Sequence, residues 1–442
     1  MSDPDFPFKN LERFPQLYKF VYGIWARLNP PAPAAPAKFV HDSFLPVKDF
    51  DFINAENGSG IEPKTCISLT KGYESSYLLL SPSNAWKEEI LNYFLNAPSP
   101  VATDKMWLPH RPQIAIESYI MTHLLTGNAT VLEEARLLAE RYYTLCATPI
   151  GLLRYSFNPV TGETSGDYIL GMLSHWFPSF AMLGALADPV WNSRLKSVVT
   201  ATEQLRNQTT GLLGVHYNPE DGTFYDDGQQ DYVQAVQCEY AEALVFAHKC
   251  TGDSFYLDVL QNHIDRYLAA CWNSNDSLLM RANPDGVLYS DQYLVVQAQT
   301  LPVGLCHLYS QGKGQTYLDI AKAFTEKCFQ IGMENGLAVE RVFYNGEKTH
   351  VSRCFPELLR ACTELFRATN DSYWQNRGNE YFANLATKLR SNYGFLQKRT
   401  DTLAVLSAQQ PEYIWECINQ AFLLNSGVWG MPITLFEMPF LH

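Results

Sequence analysis

Glu357 directly follows a proline and opens a stretch with the residue spacing of a core-facing helix. The apolar positions of that stretch are Leu358, Leu359, Cys362, Leu365 and Phe366. They recur every three or four residues, which places them on one helix face. A carboxylate at the first turn has two interpretations. It is either an acid stabilised by the helix dipole, or the acid or base of a buried active site.

Three further residues could transfer protons together with Glu357. Glu340 would supply the second carboxyl group that an inverting glycosidase needs, or it is an exposed acid at a strand end. His110, in the loop "WLPHRPQ", could titrate near neutral pH, or simply bond to backbone. Asp231 ends the acidic stretch "YDDGQQD". That stretch could hold Mg²⁺ against a diphosphate or merely solvate a loop, and no second metal-binding motif of diphosphate chemistry accompanies it.

Of the five candidates for substrate binding, three are Arg353, Glu416 and Glu437, and the stretch "SHWFPSF" contains the other two, His175 and Trp176. They stand at the end of an apolar helical pattern, where an aromatic ring with a polar neighbour could line a central cavity. Core packing is the alternative for both, because aromatic side chains mainly fill protein cores.

A sixty-residue repeat organises these candidates. "GLLRYSFNPVTGE" begins at Gly151 and "GLLGVHYNPEDGT" at Gly211, and weaker copies begin at Ser277, Gly336 and Gly394. Each copy is preceded by an apolar helical pattern, a "TGD"-type turn and a more polar helical pattern. A fixed period of this length indicates stacked supersecondary units.

The repeat predicts an all-α fold, an (α/α) toroid of about six to seven helical hairpins with short β-hairpin-like loops at one end. Those loops would surround the mouth of an axial cavity. We expect residues 1–40 to form an N-terminal helix and a Pro-rich wrap, and residues 41–442 to form one barrel domain.

Composition and charge exclude several classes of partner. The 442 residues carry a formal net charge of −13 with a pI near 5.3. Nucleic acids and anionic membranes require a basic surface, so we expect a small-molecule substrate instead. The sequence has no membrane-spanning stretch and no pattern of a secretory signal. We therefore expect a cytoplasmic protein whose ten cysteines are mostly reduced core residues. Phosphate-binding glycine loops and dinucleotide fingerprints are absent.

Several segments resemble the seven-hairpin class I α-mannosidases of glycoside hydrolase family 47. "FTEKCFQIGMENGLAVE" resembles that family's cysteine-containing helix and the Gly-Leu-x-Pro-Glu turn after it, with Glu340 at the acid. "FPELLRACTELFRATND" resembles its Arg-Pro-Glu helix, with Glu357 at the acid. "YIWECINQAFLL" resembles its Glu-Ser-Phe helix and places Glu416 at the acid. The resemblance implies the toroid fold and inverting hydrolysis of a mannoside with a bound calcium ion.

The chain departs from the family pattern at several positions. His110 stands where the family has an upstream glutamate, and Asp231 matches its central aspartate only by position. The arginine before the Pro-Glu pair is replaced by Phe355, with Arg353 two residues earlier. The segment "TLFEMPFLH" contains Glu437 but lacks the threonine that helps to hold calcium.

These departures lead to one expected function and two alternatives. The first is a diverged enzyme that binds a small, partly apolar, terpenoid- or polyketide-like molecule and catalyses acid–base isomerisation, cyclisation or dehydration without a cofactor. The first alternative is an α-1,2-mannosidase-like glycoside hydrolase. The second is a barrel that binds a ligand without catalysis. Calcium or magnesium remains a weaker expectation.

Overall fold

The structure is a computed structural model. It describes residues 127–225 except position 175, 233–282, 284–286, 288–289, 292–352, 355–391 and 394–408. Isolated positions at 95, 99, 101, 116, 119, 120, 123, 417 and 424 are also described. His110, Asp231, His175, Arg353, Glu416 and Glu437 lie outside these residues, as do all of residues 1–40, the predicted N-terminal helix and wrap.

Within the described residues, helices dominate the chain and follow one another as hairpins. The helices are α1 (Ala129–Cys146), α2 (Leu170–Ser174), α3 (Trp176–Leu186), α4 (Val190–Gln204), α5 (Val233–Thr251), α6 (Ser254–Cys271), α7 (Leu301–Ser310), α8 (Gln315–Ile331), α9 (Pro356–Thr369) and α10 (Ser372–Lys388). A 3₁₀ segment, Val296–Thr300, leads into α7.

The helices form an inner and an outer layer. Along the chain, α3 pairs with α4, α5 with α6, α7 with α8, and α9 with α10. The first helix of each pair also packs on its counterpart in the next pair, so α3, α5, α7 and α9 lie side by side as the inner layer. The outer helices are amphipathic: α6, for example, buries one stripe and exposes the other face.

In two of the four described hairpins, the turn between the helices consists of a left-handed glycine or asparagine followed by a capping aspartate. Before α6, Gly252 takes a left-handed φ of +69°, and the Asp253 carboxylate accepts a hydrogen bond from the Phe255 N–H at 2.9 Å. Before α10, Asn370 takes the left-handed conformation and Asp371 caps the helix in the same way. The predicted "TGD"-type turns before α6 and α10 are therefore confirmed as N-caps, whereas α8 starts after Gly314 without a side-chain cap.

Short β-strands connect successive hairpins. The strands are β1 (Ser156–Phe157), β2 (Thr164–Ser165), β3 (Tyr168–Ile169), β4 (His216–Tyr217), β5 (Phe224–Tyr225), β6 (Trp272–Asn273), β7 (Leu278–Leu279), β8 (Arg281–Ala282), β9 (Leu288–Tyr289), β10 (Gln292–Val295), β11 (Met333–Glu334), β12 (Leu337–Ala338), β13 (Arg341–Phe343), β14 (Lys348–Thr349), β15 (Val351–Ser352), β16 (Arg390–Ser391), β17 (Gly394–Arg399) and β18 (Val405–Ala408). Every described pairing is antiparallel, and no described sheet exceeds four strands.

The repeated Asn-Pro-x-x-Gly sequence forms the turn between β4 and β5. The Asn218 side chain accepts a hydrogen bond from the Glu220 N–H, and its carbonyl accepts one from Gly222, which has a φ of +74°. Asn158 and Gly162 repeat the arrangement between β1 and β2. The repeat read from the sequence is thus one hairpin of helices plus one hairpin of strands, as predicted.

Eight cysteines belong to the described residues, and all eight are buried with free thiols. They are Cys146, Cys238, Cys250, Cys271, Cys306, Cys328, Cys362 and Cys417. For these eight, the prediction of a place in the core is confirmed, and their reduced state stays a prediction. None of the described helices has the length and hydrophobicity needed to cross a membrane.

Candidate active site

Glu357 lies in the first turn of the inner helix α9, and its side chain is buried. Phe355 precedes the helix in a left-handed conformation with φ +31°, and Pro356 occupies the first helical position, where a missing N–H costs nothing. Glu357 keeps only 4% of its surface exposed. The sequence prediction of a core-facing glutamate at a helix start is confirmed.

The Glu357 carboxyl group is held in its protonated form. Burial raises its pKa to about 8, although its own backbone N–H and Arg360 act in the opposite direction. Repulsion from Glu239 and Glu242 raises the pKa further. Among the described residues, no group hydrogen-bonds its Oε2 atom. Glu357 is therefore a neutral acid near pH 7, with one oxygen that a ligand could contact.

Arg360 and Glu242 form a buried ion pair beside Glu357. Arg360 lies one turn further along α9 and is fully buried, and its Nη1 donates to Oε1 of Glu242 on α5. Burial raises the pKa of Glu242 to about 7 despite the opposing effect of the Arg360 charge. The pair joins the inner helices α5 and α9, and it places the Arg360 guanidinium close to the carboxyl groups of Glu242 and Glu357.

Glu239 is the third carboxyl group of this cluster and its most exposed member. It precedes Glu242 by three residues, so both lie on the same face of α5. A Cβ atom added to Gly171 of α2 would come within 2.4 Å of the Glu239 Oε2 and 2.6 Å of the Val236 Cβ. Glycine at this position therefore lets α2 approach α5 closely beside the Glu239 carboxyl group.

We call Glu239, Glu242, Glu357 and Arg360 the acid cluster. If all three carboxyl groups were ionised, one guanidinium would face three negative charges in a largely buried environment. Uncompensated buried charge is costly, so the cluster retains a proton. Because the pKa of Glu357 is about 8 and that of Glu242 about 7, Glu357 is the main holder of that proton.

Glu340 is buried as well, but it belongs to a different contact network. Its N–H donates to the Val351 carbonyl and its own carbonyl accepts from the Val296 N–H, both at 3.1 Å. Its carboxylate lies 3.8 Å from the Arg341 guanidinium. The charges named above as acting on Glu357 come from the acid cluster and not from Glu340. A catalytic role for Glu340 stays a prediction.

Trp176 is a core residue in its contacts. It is fully buried, and its ring stacks on Tyr142 of α1 with centroids 3.8 Å apart and planes 6° from parallel. Phe180 packs against it at 5.7 Å. These contacts join α1 to α3, and a role as a substrate wall stays a prediction.

We expect Trp176→Ala to lose about 3–5 kcal/mol of unfolding free energy, because a large aromatic side chain is removed from a packed core. Equilibrium urea unfolding measures the loss. Trp176→Phe keeps a ring over Tyr142 and should cost clearly less. Equal and small losses in both variants would contradict the assigned packing.

The calcium ion implied by the family resemblance finds no ligand set in the described part of the chain. Within it, no group of three or more His, Cys, Asp or Glu side chains is arranged to hold a metal. The catalytic candidate Asp231 and the substrate-binding candidates Glu416 and Glu437 lie outside the described residues. No step of the mechanism below is therefore assigned to a metal.

Two members of the acid cluster, Glu239 and Glu242, were missed by the sequence reasoning. The signal was present: "VQCEYAEALVF" carries two acids three residues apart within an apolar helical stretch. The reasoning applied to Glu357 would have found them. The place of Arg360 in the acid cluster could not be expected from the sequence, because arginine side chains in helices are mostly exposed.

Comparisons with known proteins show which family this chain matches. The model of the family described as Glycosyl hydrolase family 47 matches residues 115–399. No relative is detected among curated sequences.

Solved structures share the fold at low identity. An α-1,2-mannosidase from Trichoderma reesei matches with a TM-score of 0.63 and 13% identity, over 92% of this chain and 93% of that one. A sugar epimerase from a ruminal bacterium matches with a TM-score of 0.61 and 10% identity, over 74% and 89%. A cellobiose 2-epimerase from Bacillus thermoamylovorans matches with a TM-score of 0.59 and 12% identity, over 72% and 88%. The predicted all-α toroid is confirmed.

Proposed function

Because the chain belongs to glycosyl hydrolase family 47, we propose that it hydrolyses an α-linked mannoside, with Glu357 as the general acid. The observation that supports this most directly is the buried, protonated Glu357 beside a second carboxyl group. Glycoside hydrolysis requires one carboxylic acid to protonate the leaving oxygen and one carboxylate to act at the sugar or on water.

The acid cluster supplies a role for each side chain. Glu357 would donate its proton to the glycosidic oxygen through Oε2, the atom that no described group occupies. Glu239 is the better candidate for the carboxylate that activates water, because it is partly exposed whereas Glu242 is bound to Arg360. Arg360 would stabilise the negative charge left on Glu357 after proton transfer, since an opposite charge favours the ionised form.

Of the substrates expected from the sequence, a carbohydrate has the better support. Family membership supports the glycoside hydrolase, which the sequence suggested as an alternative, better than a terpenoid- or polyketide-like ligand. The epimerase structures share the toroid at identities too low to transfer their activity. Isomerisation or cyclisation without hydrolysis gains no support.

The test is an assay of the full chain on an aryl α-mannoside and on α-1,2-linked mannobiose, with proton NMR to follow the products. We expect mannose release with the β-anomer formed first, as two carboxyl groups separated by a water molecule would give. An epimerised or isomerised sugar, with the glycosidic bond intact, would overturn hydrolysis. Repeating the assay with a chelator determines whether activity depends on a metal.

The raised pKa of Glu357 also predicts how stability depends on pH. The folded protein holds this proton up to about pH 8, whereas the unfolded chain loses it near the ordinary value of 4.5. The folded state therefore binds more protons between these values, and unfolding free energy falls as pH rises through this window, by roughly 1.4 kcal/mol per unit for one group.

Glu357→Gln should flatten this dependence, because glutamine does not titrate. Urea unfolding at a series of pH values measures the slope. Glu242, whose pKa is raised to about 7, titrates in the lower part of the same window, so the dependence should remain below pH 7 and be lost above it. An identical slope in wild type and variant would contradict a protonated Glu357.

A further inference from the structure

Two adjacent polar side chains just before α7, Gln299 and Thr300, are buried without hydrogen bonds. Gln299 is fully buried, and Thr300 keeps 2% of its surface exposed. Among the described residues, no group hydrogen-bonds the oxygen or the nitrogen of the Gln299 amide, or the Thr300 hydroxyl. Buried polar groups are nearly always paired, so two adjacent exceptions require a physical reason.

Thr300 also leaves unused the role that its position offers. It is the N-cap of α7, where a threonine hydroxyl usually accepts a hydrogen bond from a backbone N–H of the first turn, but its side chain makes no such bond. Pro302 lies in that first turn and has no N–H to donate. A local rule that is broken inside a packed core is typical of a functional site.

The segment that carries these side chains lies between the two helices of the acid cluster. The 3₁₀ segment Val296–Thr300 packs on α5 and on α9. At its start, the Val296 N–H donates to the Glu340 carbonyl, and the Glu340 N–H donates to the Val351 carbonyl, both at 3.1 Å. Val351 belongs to β15, the strand that precedes α9 and Glu357.

At its other end, the segment reaches α5 beside Glu239. The residue after it is Leu301, whose backbone N–H acts on the thiol of Cys238, the neighbour of Glu239. Burial raises the pKa of this thiol, the charges of Glu239 and Glu242 raise it further, and the Leu301 N–H acts in the opposite direction. The segment therefore reaches both helices that carry the carboxyl groups.

Two more buried oxygens without hydrogen bonds lie on neighbouring elements. The Ser352 hydroxyl, next to Val351 in β15, is fully buried, and Glu357 Oε2 lies in the first turn of α9. Among the described residues, neither oxygen has a hydrogen-bond partner. The Gln299 amide adds both a donor and an acceptor to these oxygens.

We propose that Gln299 and Thr300 form a specificity site for adjacent hydroxyl groups of the sugar on which Glu357 acts, an inference that rests on the proposed mannoside substrate. The Gln299 carbonyl oxygen accepts a hydrogen bond from one hydroxyl, its NH₂ group donates to the next, and the Thr300 hydroxyl can do either. A sugar is the class of ligand that presents hydroxyls in such adjacent pairs.

The uncharged character of the two side chains suits this position. Another carboxylate beside Glu239, Glu242 and Glu357 would add uncompensated negative charge to a buried region. A site whose buried polar groups bind a hydroxyl also rejects an analogue that lacks it, because those groups are then left unpaired. Gln299 and Thr300 therefore contribute recognition of the sugar and not proton transfer.

The test compares monodeoxy analogues of an aryl α-mannoside in the wild type and in Gln299→Met, which keeps the length of the side chain without its amide. In the wild type, removal of the recognised hydroxyl should lower kcat/KM roughly ten- to hundredfold. Gln299→Met should lose a similar factor on the parent substrate and nothing further on that analogue. Losses that simply multiply would overturn the proposal.

Binding measurements separate this result from hydrolysis. Calorimetric titration of the full chain with mannose and with its monodeoxy analogues should show the same coupling between one hydroxyl and the Gln299 variant. Coupling without turnover would support the specificity site and reject hydrolysis, whereas turnover without coupling would do the reverse. Absence of saturable sugar binding would overturn the specificity site.

Two threonine variants of conserved shape provide the matched control. Thr300→Val should weaken mannose binding, whereas Thr325→Val, on the outer helix α8, should bind normally. Thr325 is also fully buried, and no described group hydrogen-bonds its hydroxyl. Equal losses in the two variants would contradict the assigned site.

Stability supplies a second readout. Gln299→Met and Thr300→Val each remove an unpaired buried group, so the urea midpoint should stay the same or rise while sugar binding weakens. A marked fall in the midpoint of both variants would mean that these groups are bonded within the protein, and it would overturn the proposal.

Discussion

Glu357→Gln should lower mannoside turnover by about 10²–10⁴-fold, the usual contribution of a positioned general acid. Glutamine has nearly the same shape as glutamic acid, but its amide is too weak an acid to donate a proton to the glycosidic oxygen. Because Glu357 is neutral in the folded protein, the substitution exchanges one neutral side chain for another, and the fold should persist. Turnover and circular dichroism of the same preparation measure both parts of this expectation.

Two matched variants make the result specific. Glu347→Gln changes an exposed acid in the turn between β13 and β14, and should keep full turnover. Glu340→Gln tests the other acid that the sequence suggested. Full turnover in Glu357→Gln would remove α9 from the mechanism, and an equal loss in the Glu347 variant would point to an unspecific effect.

Arg360→Met should cost about 3–5 kcal/mol of unfolding free energy, the largest stability loss that we expect from one substitution outside the aromatic core. The variant leaves Glu242 buried without its cation, and breaking a buried pair on one side costs this much. Urea unfolding at pH 8 should show the full effect, because Glu242 is then mostly ionised when paired. At pH 5 the loss should shrink as the carboxyl groups become protonated.

The double variant Arg360→Met with Glu242→Leu separates the pair from its parts. Removing both charges leaves no unpaired ion, so the double variant should be more stable than Arg360→Met alone. Additive losses in this cycle would mean that the two side chains do not interact. The Glu347→Gln variant again serves as the reference for a surface change.

Much of the fold was predictable from turn and helix-capping residues that lie close together in the sequence. Asn218 and Gly222 specify their turn through one side-chain acceptor and one left-handed residue, both written within five positions of sequence. Asp253 and Asp371 identify helix starts in the same way. The repeat could be recognised because these two signals recur along the chain, although α8 starts without an aspartate cap.

The candidate site was only partly predictable, because it depends on contacts between helices. Along α9, Glu357, Arg360, Glu364 and Arg367 are spaced by three or four residues, as an exposed salt-bridged face would be. In the structure the first three are buried, since α9 is an inner helix that packs on α7, α10 and the 3₁₀ segment. Glu357 could be singled out by its proline, whereas the pairing of Arg360 with Glu242 spans 118 positions and leaves no local pattern.

The buried cysteines allow unfolding of the protein to be followed by chemical modification of their thiols. Burial raises the pKa of Cys146 and of Cys271 to about 12, so neither thiol presents the thiolate that alkylating reagents attack. A thiol reagent added to the folded protein should therefore react at the rate at which the structure opens. Counting modified cysteines by mass spectrometry would show whether the hairpins open one at a time or all together.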